Sequence, residues 1–220
     1  MSTESAEKSP AWAAAASGRQ RRVVLASGSP RRLDILRAHG INPDVLVPDV
    51  DESDVCAPDG SPLAPEQLVM TLARRKAWAV WQQLAVSTPL MVLAADTIVY
   101  KPGVGVLGKP LDRTDAIRML ELLRNTSHQV FTGVALLSWP STSEHDSTSP
   151  SEIVLYDLST VHFGDYTLAD IEDFLLRDPP YDKAGSYAAQ GMWAAHITRI
   201  DGDRENVIGL PWQAIASYLC

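Results

Sequence analysis

The sequence predicts an α/β protein, a mixed β-sheet with flanking helices. Three observations carry that expectation. Strand-like and helix-like segments alternate from about residue 22 onward. Residues 90–99 form a continuous apolar run broken by one acid, the mark of a strand buried on both faces. Strands at 130–137 and 153–163 are joined by a short return, so that pair is antiparallel and the sheet is not purely parallel.

The elements follow in order. Residues 22–26 are a short apolar strand that runs into the turn Ser27-Gly28-Ser29-Pro30-Arg31-Arg32 and a helix to about His39. Ser29 suits the N-cap, Pro30 the first helical position and Gly40 the stop. Residues 42–50 read as strand or extended chain and 51–64 as loop. Pro65-Glu66 opens a long helix to about residue 85. After the 90–100 strand, three glycines make 101–110 a loop or hairpin, and 112–123 is a helix. The stretch between the antiparallel strands, 138–151, is rich in Ser, Thr and Pro and reads as a mobile extension of a hairpin. A Thr-x-x-Asp start places a helix at 167–176. Residues 181–191 are polar and Gly-bearing, 192–200 read as strand, Asp201-Gly202 as a turn, and Val207-Ile208-Gly209-Leu210-Pro211 leads into a last helix.

The chain has 220 residues, 45% of them apolar, enough for one domain with its own core. We place that domain at 21–220, behind a disordered tail at 1–20. The tail reads as disordered rather than as a signal peptide, since Glu4 and Glu7 spoil its basic end and its apolar run is short, Ala11 to Ala16. Acids outnumber bases, and the net charge of −8 argues against a nucleic-acid footprint. A polyanionic ligand must then be gripped by a local basic cluster, because the global field repels it. Two cysteines, Cys56 and Cys220, make neither a disulfide framework nor a zinc quartet, and they suit a reducing cytoplasm. Cys56 has Pro62 where a cysteine phosphatase loop would have Arg. No apolar run reaches the ~18 residues that span a bilayer, so no membrane partner is expected.

Strand, small-residue turn and helix start is the layout that offers free N–H groups to an anion, with the Ser27 and Ser29 hydroxyls beside them. Arg31 and Arg32 sit at the positive end of the helix dipole, at a cost of roughly 0.3–1 kcal/mol each. An anion between them would account for that placement; a solvated arginine pair is the plainer alternative. On a helical wheel Lys76 falls in the middle of the apolar face made by Val69, Leu72, Ala73 and Val80, which calls for an anionic partner or for snorkelling to water. Asp96, the lone acid in the apolar run, is the best general-base or Mg²⁺-ligand candidate, unless the strand ends before it. Glu52, in Asp51-Glu52, could complete an oxygen-ligand metal site with Asp96. Lys109 and Lys183 lie beside small residues in loops, as phosphate-binding lysines do. The histidines lack zinc-site spacing, and no Gly-x-Ser-x-Gly elbow occurs. The inventory of five cations and two carboxylates suits a polyphosphate ester, a divalent metal and a base for water.

These motifs resemble, in order, those of the Maf family of nucleoside triphosphate pyrophosphatases. The resemblance rests on Leu25-Ala26-Ser27-Gly28-Ser29-Pro30-Arg31-Arg32, Asp51-Glu52, Leu72-Ala73-Arg74-Arg75-Lys76-Ala77 and Ala95-Asp96-Thr97-Ile98-Val99. It continues through Gly108-Lys109-Pro110, Phe131-Thr132-Gly133-Val134, Asp182-Lys183-Ala184-Gly185-Ser186-Tyr187, Gln190-Gly191 and Val207-Ile208-Gly209-Leu210-Pro211. It implies an elongated two-lobed Maf/ITPase-like fold with a central cleft. It implies hydrolysis of a nucleoside triphosphate to monophosphate and pyrophosphate with a divalent cation, Mg²⁺ or Mn²⁺. It puts the catalytic base on Asp96 and the selectivity positions on Arg31, Thr97 and Gln190. A sister subgroup selective for 7-methyl-GTP has Ser-Asp-Gln and Glu-Gly where this chain has Ala95-Asp96-Thr97 and Gln190-Gly191, so the chain resembles the dTTP/UTP subgroup, with modified pyrimidine nucleotides as further substrates. The departures are the tail, the 138–151 stretch, and Arg75 where Glu is common. A homodimer is expected, as is usual for such enzymes. Two other readings compete: a non-catalytic nucleotide-binding regulator of cell division and septum formation, and an RNA-binding module, which the acidic charge and the lack of an aromatic–basic strand pattern disfavour.

Overall fold

The computed structural model describes residues 22–52, 55–84, 90–139 and 150–219. The expected N-terminal tail and most of the 138–151 extension lie outside them. The strands are β1 (Arg22–Leu25), β2 (Asp44–Val45), β3 (Leu90–Lys101), β4 (Gly105–Leu107), β5 (Ser127–Ser138), β6 (Ser151–Phe163) and β7 (Ile197–Asp201). The helices are α1 (Pro30–Ala38), α2 (Pro65–Trp81), α3 (Arg113–Leu123), α4 (Leu168–Arg177), α5 (Arg204–Ile208) and α6 (Trp212–Leu219). The sheet runs β2-β1-β3-β5-β6-β7, with β4 hairpinned onto β3. Strand β1 is parallel to β2 and β3, and every later pairing is antiparallel, so the sheet is mixed as expected.

Helix α2 covers one face of the sheet through Ala73, Ala77 and Val80, against Val24, Val92 and Ala135. The opposite face is covered by Ile35 and Leu36 of α1 and Ile215 of α6, against Leu25, Leu93 and Leu136. Further along the same strands a second core gathers Leu120, Leu123, Ile171, Phe174 and Trp193 around Val99, Val130 and Phe163. Strands β3 and β5, twelve residues each, run through both cores.

Several details differ from the expectation, and the reasons are physical. Strand β5 begins three residues early, because His128 is buried and hydrogen-bonded to the Tyr187 hydroxyl at 2.6 Å rather than solvated. Met192–His196 is a 3₁₀ turn, not strand: Trp193 turns inward onto Tyr166 and Phe174, with ring centroids 4.8 and 4.7 Å apart. Helix α5 is a single turn, too short for periodicity to show; Asp203 caps it by accepting the Glu205 N–H. Ser29 sits at the N-cap of α1 without a side-chain cap bond, and its N–H instead donates to Ser27 Oγ at 3.2 Å. Thr167 and Asp170 form the reciprocal capping box that the Thr-x-x-Asp start predicts.

Gly133 sets how closely α2 lies on the sheet. A Cβ there would stand 2.4 Å from the Val69 carbonyl oxygen, backbone that cannot turn aside. Gly133→Ala must push the helix off the sheet. We expect it to destabilise the fold by about 1–3 kcal/mol, the range for overpacking, read as a lower midpoint in denaturant.

His128 supplies a pH dependence. Burial, with smaller contributions from Lys101 and His162, lowers it from 6.5 to about 3, so the folded protein holds it neutral. The unfolded chain takes up a proton below 6.5 that the folded chain refuses, so stability falls with pH between 6.5 and about 3. Between about pH 7 and pH 5 the wild type is expected to lose roughly 1–2 kcal/mol more than His128→Gln. Denaturation curves at the two pH values check this, and equal losses would contradict it.

Candidate active site

The alternation of β3 decides where its acid goes. Leu90, Val92 and Ala94 pack on the α2 side, while Met91, Leu93 and Ala95 pack toward α1 and α6. Asp96 therefore faces α2 and Thr97 faces the other way. Gly133 is the cross-strand partner of Asp96, so the tight approach of α2 occurs at that level of the sheet.

Helix α2 presents Val69, Ala73, Ala77 and Val80 to the sheet, and Lys76 shares that face. Lys76 Nζ lies 2.5 Å from Asp96 Oδ1 and 2.6 Å from Glu52 Oε1. Lys76 is 9% exposed and Asp96 7%. The lysine is thus paired rather than snorkelling, and the aspartate is interior strand rather than a turn. Lys109 Nζ approaches the other Glu52 oxygen at 4.0 Å.

On the Thr97 side stands Arg32. Its guanidinium donates to Gly209 O at 2.8 Å, Ser27 Oγ at 3.0 Å and Thr97 Oγ1 at 3.2 Å. Arg31 points instead toward Asp182, 3.5 Å away. Lys183 pairs with Asp182 at 2.8 Å and lies 3.9 Å from Asp178. The Lys183 segment reaches this place because the Gly185 N–H donates to the Gly108 carbonyl, beside Lys109. Gly185 has φ +67, and a Cβ on it would meet the Val99 side chain at 2.8 Å, so only glycine fits.

One cleft of about 620 Å³ is lined by every residue that the sequence singles out: Ser27, Ser29, Arg31, Arg32, Glu52, Lys76, Asp96, Thr97, Lys109, Lys183 and Gln190. Val47, Pro48 and Val50 supply part of its apolar wall. Burial pushes Arg32 below its ordinary value, although Asp96 opposes the shift. Burial raises the Glu52 carboxyl, but the hydrogen bond and charge of Lys76, with Lys109 and Arg32, outweigh this and hold it below the usual carboxylate value. Asp182 behaves alike: burial raises it, and Lys183 and Arg31 bring it below its ordinary value.

Chemically, the cleft sets clustered cations around one deeply placed carboxylate. That arrangement can hold a polyphosphate and take a proton beside it. Among the described residues no three His, Cys, Asp or Glu side chains cluster for a metal. The oxygen donors are Glu52 and Asp96, the number of carboxylates with which Mg²⁺ is held when phosphates complete its shell. Sequence reasoning missed Asp182 and Asp178, which counter the loop cations. Asp182 stands in Asp182-Lys183, a motif whose evident anion-binding group is the lysine. It also missed Thr132 and Asn206, buried behind Thr97, for which the pattern holds no signal of polarity in use.

The Maf-like protein family matches this chain over residues 22–220. A dTTP/UTP pyrophosphatase of Lachnoclostridium phytofermentans is 40% identical over 190 residues, 86% of this chain and 89% of that one. A dTTP/UTP pyrophosphatase of Symbiobacterium thermophilum is 44% identical over 190 residues, 86% of this chain and 88% of that one. A solved nucleoside-triphosphatase / dITP/XTP pyrophosphatase from Mycobacterium abscessus aligns over 90% of this chain and 94% of its own, at 13% identity and a TM-score of 0.38.

Proposed function

The chain belongs to the Maf-like protein family, and from that membership and its cleft we propose that it is a nucleoside triphosphate pyrophosphatase acting on dTTP and UTP. The relatives named dTTP/UTP pyrophosphatase support the substrate class. So does the pairing of Ala95-Asp96-Thr97 with Gln190-Gly191. Modified pyrimidine triphosphates belong to the same proposal. The carrying observation is the buried Asp96 carboxylate in a cleft walled by Arg31, Arg32, Lys76, Lys109 and Lys183.

In this reading the triphosphate enters along the cationic wall and draws the Lys76 ammonium from the carboxylates to itself. Asp96 then accepts a proton from water, whose oxygen attacks the α-phosphorus. The bond to the bridging α–β oxygen breaks, and pyrophosphate leaves with its charge met by the arginines and lysines. Glu52 and Asp96 would hold a divalent cation, Mg²⁺ or Mn²⁺, which supplies charge neutralisation at the phosphates when bound. A homodimer and a cytoplasmic setting complete the proposal; the free thiol of Cys56 supports the latter.

The test is product analysis with Mg²⁺ across dTTP, UTP, dCTP, dATP, GTP and pyrimidine-modified triphosphates. Monophosphate and pyrophosphate in equal amounts, fastest from dTTP and UTP, are expected. Tight nucleotide binding without product would favour the regulator of cell division instead.

A further inference from the structure

Behind Thr97 lies a buried polar chain that the proposed chemistry does not use. Thr132 of β5 is the cross-strand partner of Thr97, is fully buried, and does not line the cleft. Its Oγ1 is 2.9 Å from Thr97 Oγ1 and 2.9 Å from the Asn206 carbonyl oxygen of α5. A carbonyl only accepts, so the Thr132 proton goes to Asn206. The Thr97 proton must then go to Thr132, which leaves Thr97 as an acceptor toward the guanidinium of Arg32. The polarity is one-way: Arg32 donates to Thr97, Thr97 to Thr132, and Thr132 to Asn206.

The far end of the chain is anchored. The Asn206 amide donates to Val130 O at 3.1 Å and to Ser159 Oγ at 2.9 Å, and the Ser159 hydroxyl donates to Asp203 O at 2.8 Å. Asn206 and Ser159 are fully buried. The same short helix ends at Gly209, φ +127, whose carbonyl takes the Arg32 Nε–H. Helix α5 thus holds the guanidinium by two routes, directly through Gly209 and indirectly through Thr132 and Thr97.

We infer that Thr132 is a positioning residue: it fixes the hydroxyl of Thr97 as an acceptor and so aims Arg32 at the phosphates. Arg32 is only partly exposed, and its Nε, Nη1 and Nη2 each already have a fixed acceptor, which sets the direction of the guanidinium. The inference rests on the proposed reading of the cleft as a triphosphate site, but not on turnover.

The experiment is a double-mutant cycle of Thr132→Val and Thr97→Val. It is read by calorimetric affinity for non-hydrolysable α,β-imido-dUTP and by kcat/KM on dTTP, with melting curves to establish folding at the assay temperature. Thr132→Val is expected to weaken analogue binding about tenfold and lower kcat/KM at least as much, the scale of one lost bond near a charged group. Thr132→Ser should stay within about twofold of wild type, since it keeps the hydroxyl. In the Thr97→Val background Thr132→Val should add less than about twofold, because the two act in series. Should Thr132→Val fail to fold, Thr132→Ala carries the same cycle. Unchanged analogue binding in the singly substituted protein, or the full tenfold loss again without the Thr97 hydroxyl, would overturn the inference. Absent wild-type turnover would count against the pyrophosphatase reading alone, since the affinity cycle decides the role of Thr132 by itself.

Discussion

Asp96→Asn is expected to lower kcat on dTTP and UTP by about 10²–10⁴-fold, the contribution of a positioned general base. Asparagine keeps the shape of the side chain and an oxygen that can accept from Lys76 Nζ, now 2.5 Å away. It cannot take a proton from water. The variant also keeps Glu52 as a partner for Lys76, so no buried cation is stranded. Folding should therefore change little while turnover collapses, a separation that a merely structural role would not give. Kinetics on the folded variant, with bound nucleotide measured in parallel, check it. Near-wild-type turnover would remove Asp96 from the chemistry.

Lys76→Met should damage both stability and activity. Methionine replaces the aliphatic stem at similar volume, so the packing of α2 on β3 survives. What is lost is the ammonium between Glu52 and Asp96, and the two carboxylates then face each other. Removing one partner of a buried pair is strongly destabilising, but Glu52 is nearly half exposed, so we expect about 1–3 kcal/mol. The Glu52 part of this depends on pH. Lys76 holds that carboxyl below its ordinary 4.5 against the opposing pull of burial. Its stabilisation is complete above about pH 4.5 and fades as pH falls through the lower folded value. The gap between wild type and variant should narrow on acidification in denaturant titrations. In the assay, kcat/KM should fall at least about 100-fold, because the cation nearest the base no longer meets the phosphates.

The parts of this site that were legible in the sequence are those where local pattern conflicts with burial. A lysine inside an apolar helical face and an acid inside an apolar strand each demanded a partner, and they are each other's partner. The mixed sheet was legible for a similar reason, since run length and return distance limit how strands can pair. What was not legible depends on contacts between distant segments. Nothing near Trp193 says that its ring turns into a cluster with Tyr166 and Phe174, so apolar 3₁₀ backbone reads as strand. Helix α5 is too short to show a period, yet its carbonyls orient Arg32 from 177 residues away in sequence. Thr132 and Asp182 stood in noticed motifs, but a hydroxyl or a loop acid acquires a role only from what the fold brings against it.

Water guided by this cleft should attack the α-phosphorus rather than the β-phosphorus. Hydrolysis of dTTP in ¹⁸O-labelled water, followed by mass spectrometry of both products, tests it most directly. One ¹⁸O in the monophosphate and none in the pyrophosphate are expected. Label in the pyrophosphate, with unlabelled monophosphate, would contradict it.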